Sequence, residues 1–114
     1  MTAPTRIDLP ISKAQYLFSS AAQPGSGGDK QKFWRQVMGF ESAEAIRLAI
    51  LSEISLELLE ASGQNDYGER EQAVIKITGL SGVYWQILTV WIVLFGEDIA
   101  RFVTAVPQRF GRQQ

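Results

Sequence analysis

The chain has 114 residues, 46% of them hydrophobic, so it is long enough to bury a core and too apolar to be disordered throughout. It contains no cysteine and no histidine, which excludes disulfides, thiolate metal sites and any mechanism built on imidazole. A net charge of −1 does not announce a nucleic-acid binder.

In chain order, Pro4 and Pro10 bias their neighbours away from helix, and Ile7 and Leu9 alternate with Arg6 and Asp8. This stretch suits a short edge strand or a lead-in. Ser12 reads as an N-cap for a short helix over Lys13–Phe18. Ser19 to Gly28 is rich in glycine and contains Pro24, which marks a loop. The loop lacks the Gly-Lys-Ser/Thr ending of a phosphate-binding loop, so it is read as a connector. Asp29 opens a helix to about Met38, with Phe33, Trp34, Val37 and Met38 on one apolar stripe and Gly39 as its stop.

Ser42 caps the longest expected helix, Ala43 to Ala61, ended by Gly63. Its buried stripe runs through Ile46, Ala49, Ile50, Ile54 and Leu58. Glu53, Glu57 and Glu60 form an acidic stripe on its outside. Gln64 to Gly68 is a polar turn. From Glu71 to Thr78 the pattern alternates, with Ala73, Ile75 and Ile77 on one side, as in a half-exposed strand.

After a turn at Gly79–Gly82, Val83 to Phe95 is apolar on both sides and rich in β-branched and aromatic residues, which places it centrally in a sheet. A last strand from Ile99 to Val106 sets Arg101, Val103 and Ala105 against Ala100, Phe102 and Thr104, and Pro107 ends it. The expected fold is α+β: N-terminal helices packed on one face of a C-terminal three-stranded antiparallel meander. It forms one domain over 1–114, with a core at about 7–107 and a frayed tail at 108–114. No leader segment is visible, so a cytoplasmic location is expected and no membrane contact.

Glu97 and Asp98 sit at a turn without a third ligand, so neither a metal nor a cofactor is expected. The densest polar cluster is Asp66-Tyr67-Gly68-Glu69-Arg70-Glu71. It holds a carboxylate, a phenol and a guanidinium, the groups that phosphodiester cleavage needs for a base, for orientation and for phosphate. Arg101, mid-strand, either reaches solvent, pairs with Glu69 or Glu71, or lines a concave face with Lys30 and Arg70. Tyr84, Gln86 and Thr104 are candidates for that same face, an array suited to RNA backbone contact.

Several landmarks resemble a bacterial domain family of unknown function that is common in cyanobacteria. They are Ile11 to Phe18, Pro24-Gly25, Lys30 with Lys32-Phe33-Trp34, Gly39-Phe40, Tyr67-Gly68-Glu69-Arg70, Val90-Trp91-Ile92, Gly96-Glu97 and Arg101 to Pro107. Similar domains occur at the C-terminal ends of polymorphic toxins, with a layout like that of barnase- and RelE-type ribonucleases. The resemblance implies RNA cleavage or RNA binding, with Lys30, Tyr67, Arg70, Arg101 and Thr104 at the matching positions. Toxin-like members often carry a histidine where this chain has Gln23, and a tyrosine where it has Glu71.

Two functions are therefore in view. One is action through protein interaction, by a protein partner or self-association, as half of a two-gene module. The alternative is a metal-independent, toxin-like ribonuclease or RNA-binding domain.

Overall fold

The computed structural model describes residues 4–19 and 33–110, the side chains of Ser19, Arg109 and Phe110 excepted. The glycine-rich loop, the opening of the second helix at Asp29 and the end of the tail lie outside the described residues. The fold is α+β, and its sheet has five strands rather than the three expected.

The chain enters through β1 (Arg6–Asp8), then helix α1 (Ile11–Ser19). The helix starts directly after Pro10, whose carbonyl accepts from Lys13 N–H at 3.0 Å, so Ser12 lies inside it rather than capping it. A proline before the first turn presets φ without losing an intrahelical bond. Ala14 and Leu17, three residues apart, are fully buried.

A single π-helical turn spans Phe33–Val37, closed by Met38 N–H donating to Phe33 at 2.9 Å. Phe33, Trp34 and Met38 are buried, but Val37 of the expected stripe is exposed, because π geometry rotates it out of line. Gly39 follows with φ +81°, the left-handed residue expected there. Phe40 then folds back, its amide on the Trp34 carbonyl at 3.1 Å and its ring 6.0 Å from the indole.

Helix α2 (Ala43–Glu53) is capped as expected: Ser42 Oγ accepts from Ala45 N–H at 3.1 Å. Ile46 and Ile50 are fully buried. The helix stops eight residues before the predicted end. Ile54 turns extended, a short 3₁₀ turn covers Leu56–Leu58, and β2 (Glu60–Gln64) begins. Leu58, expected inside, is exposed. The segment instead pairs with the free edge of the next strand, where its backbone gains a ladder. Gly63, expected as a helix stop, sits with φ +137° beside the register break of that ladder. The acidic stripe is thereby divided, Glu53 on α2, Glu57 on the 3₁₀ turn and Glu60 on β2.

The strands β3 (Gly68–Thr78), β4 (Tyr84–Leu94) and β5 (Ile99–Phe110) form the antiparallel unit read from the sequence. β2 extends it at one edge, antiparallel to β3, and β1 at the other, parallel to β5, giving the order β1-β5-β4-β3-β2. β4 is central, and Trp91 lies mid-strand at 0% exposure. Pro107 does not end β5. It pairs opposite Ile87, and the register shifts just beyond it, which lets a residue without an amide proton stay in the strand.

One face of the sheet carries the core. Ala73, Ile75, Ile77, Ile87, Trp91, Val93, Ala100, Phe102 and Ala105 pack there against Leu17, Trp34, Met38, Ile46 and Ile50. Thr89 is the buried polar residue of this face. Its hydroxyl donates to the Ala73 carbonyl at 2.7 Å and accepts from the Trp91 indole N–H at 2.8 Å, so both groups are satisfied. The β3–β4 hairpin docks on the end of the π turn through Gly79, where an added Cβ would meet the Met38 carbonyl at 2.2 Å. Among the described residues no helix is long and apolar enough to cross a membrane.

Candidate interaction surface

Strand alternation decides which residues share the opposite face. The registers place Val74, Leu88 and Val106 side by side across β3, β4 and β5. The next row is Gln72, Val90 and Thr104, and the one after it Arg70, Ile92 and Arg101. On the other side of the apolar row Lys76 stands opposite Gln86. The buried core cluster lies on the other side, although Val90 in the middle of this face is itself only 7% exposed. Val74 is 46% exposed and Val106 40%, with Leu88 and Ile92 half-buried between the outer strands.

The expected cluster at 66–71 is separated by the same alternation. Arg70 lies on the open face, while Glu69 and Glu71 point to the covered side, opposite Val93 and Trp91. Burial pushes the Glu71 carboxyl above its ordinary value, and the neighbouring Glu69 charge adds to the rise. Tyr67 stays in the β2–β3 turn, 72% exposed. Asn65 shapes that turn by accepting from Tyr67 N–H at 2.8 Å and Gly68 N–H at 3.0 Å.

Arg101 does not pair with Glu69 or Glu71, which are on the other face. Its Nε donates to Glu97 at 3.0 Å and its Nη1 to Asp8 at 3.4 Å. Glu97, first through the hydrogen bond and then through its charge, strengthens the proton hold of this guanidinium. Arg101 thus ties the β4–β5 turn to β1. On the same edge Thr5 donates to Asp98 through its hydroxyl, which holds that carboxyl below its ordinary value.

Arg70, Arg101 and Thr104 therefore share one face, Tyr67 sits at its end, and Lys30 lies outside the described residues. Arg70 makes no ion pair among the described residues. Lys76 has its ammonium 4.9 Å from the Tyr84 ring centre. The apolar row thus runs between two cations that make no ion pair among the described residues.

What the sequence reading missed is the bulge in β5. Trp91 pairs with Phe102 but Val90 pairs with Thr104, so Val103 has no partner. The extra residue turns Thr104 to the open side and Ala105 into the core, at 0% exposure.

The family model described as a domain of unknown function, DUF6883, matches residues 5–109. No curated protein and no solved structure matches the chain.

Proposed function

Because the chain belongs to this family, whose function its description leaves open, we propose its action from geometry: it works through protein interaction, with the bare sheet face as docking surface. The observation that carries this reading is the Val74–Leu88–Val106 row, apolar and outward-facing at the centre of a sheet whose other side is closed. Exposed apolar rows rimmed by polar groups mark interaction sites. Arg70 and Lys76 along the rim select a partner with an apolar stripe bordered by carboxylates. A cytoplasmic partner encoded beside this chain fits the two-gene arrangement.

Arg101 supports this reading over RNA cleavage, because its charge is already taken up by Glu97 and Asp8. The test is co-expression with the product of the adjacent gene, followed by size-exclusion chromatography. Co-elution is expected, and it should be lost in the Val74→Asp/Val106→Asp double variant at an unchanged far-UV spectrum. Incubation of purified protein with total RNA should leave the RNA intact. Cleavage that Arg70→Ala abolishes would replace this reading with the ribonuclease one.

A further inference from the structure

The β2–β3 and β4–β5 turns meet at one end of the sheet. Phe95 N–H donates to the Tyr67 carbonyl at 3.0 Å, which sets the two residues side by side, one row beyond Gly68 and Leu94. Both rings are left to solvent, Tyr67 at 72% and Phe95 at 57% exposure. Aromatic side chains are enriched at interfaces, where a large rigid surface is gained for little lost freedom.

The carboxylates next to this pair lack counter-ions. Along β3 the residues that follow on the covered side are Glu69 and Glu71, each half-buried. Their partners on β2 are Gln64 and Ala61, and those on β4 are Val93 and Trp91, so no cation stands across from either. Arg70, between them in the chain, lies on the open face. Neither glutamate makes an ion pair among the described residues. Burial, and then the Glu69 charge, raise the Glu71 carboxyl above its ordinary value, a cost to the charged form that a bound cation relieves. Among the described residues no group of three or more metal-ligating side chains comes together, so two carboxylates beside two rings suit an organic cation.

We propose that this end of the sheet docks an arginine-bearing segment of a protein partner, its guanidinium stacked on the Tyr67 ring beside Phe95 and paired with Glu69 and Glu71. A planar guanidinium meets both demands at once, its flat face on a ring and its N–H fork on carboxylates. The spacing suits it, because residues two apart on a strand are separated by about 7 Å, within the reach of one arginine side chain. An ammonium, as a point charge, gains less from the pairing. The charge sought is opposite to that selected by the Val74–Leu88–Val106 row, and the site does not depend on that row.

The probe is a Gly-Arg-Gly-Arg-Gly peptide, acetylated and amidated, titrated into the full chain and followed by backbone amide NMR. Peptides with lysine or with uncharged citrulline in place of arginine are the comparators. Saturable shifts centred on Tyr67, Glu69, Glu71 and Phe95 are expected, with the citrulline peptide at least about tenfold weaker and the lysine peptide about threefold weaker. The Glu69→Gln/Glu71→Gln double variant should bind arginine about tenfold more weakly, and Tyr67→Ala about threefold, both with a folded spectrum. The Val74→Asp/Val106→Asp variant should bind as the parent does. Equal binding of citrulline or lysine would overturn the proposal, as would insensitivity to the glutamate variant or to Tyr67→Ala. Shifts centred elsewhere, or none that saturate, would do the same.

Discussion

Two buried tryptophans differ in how their indole N–H groups are treated, and the difference is measurable. Trp91 donates to Thr89, whereas the Trp34 N–H is buried and finds no acceptor among the described residues. Trp91→Phe and Thr89→Val should each lower stability in urea by about 1–3 kcal/mol, since each strands a buried polar group or removes its bond. The double variant should cost less than the sum, because one hydrogen bond cannot be lost twice. Trp34→Phe brings the same loss of ring volume but removes a donor that has no acceptor, so it should cost less than Trp91→Phe.

Glu71 gives a pH test at the same scale. Its folded-state carboxyl titrates above the ordinary 4.5, so the folded chain holds a proton that the unfolded chain has released. Stability from this group is therefore present at low pH and lost as pH rises through that raised value. Glu71→Gln should raise the melting temperature at pH 7 and bring no gain below pH ~4.

At the scale of the element, the covered face was legible where alternation and side-chain size agree. Ala73, Ile75 and Ile77 read inward from the sequence and are buried. β2 was illegible because Glu-Ala-Ser-Gly-Gln has little strand preference, and every residue of it is exposed. It is a strand because β3 presents an edge, a fact about the partner and not about the segment. The bulge was hidden for a different reason. Ala100, Phe102 and Thr104 continue an unbroken two-residue rhythm, and only pairing with β4 reveals the extra residue. Of the candidate site, alternation alone sets Arg101 and Thr104 on opposite sides of the last strand, and only the bulge brings them to one; the partners of Arg101 lie in β1 and the turn, too far away in sequence to be read from spacing.

Contacts between elements give the next prediction. Gly79→Ala would drive a methyl group into the Met38 carbonyl, so the hairpin must lift from the π turn. A loss of about 1–3 kcal/mol is expected. At Gly82, where nothing lies within 4 Å of an added Cβ but φ is +95°, the cost of alanine should come from backbone strain alone, about 1 kcal/mol. Urea unfolding of the two variants separates close approach from conformational strain.

At the scale of the whole molecule, the sheet is asymmetric. α1, the π turn and α2 close one side over Trp91, Ile87 and Ile75, while the row of Val74, Leu88 and Val106 is left on the other. Among the described residues the ion pairs along the β1 edge fix the β4–β5 turn without using Arg70 or Lys76. Both the proposed docking surface and its proposed charge preference rest on this one asymmetry.

The chain has no cysteine, so single cysteines report the asymmetry directly through their rate of reaction with a thiol reagent. Val74→Cys and Val106→Cys should react as fast as a free thiol, and Ile75→Cys and Ile87→Cys at least about 10³-fold more slowly, through global opening only. Equal protection of all four, or fast reaction at Ile87→Cys, would contradict a sheet with one closed side and one bare one.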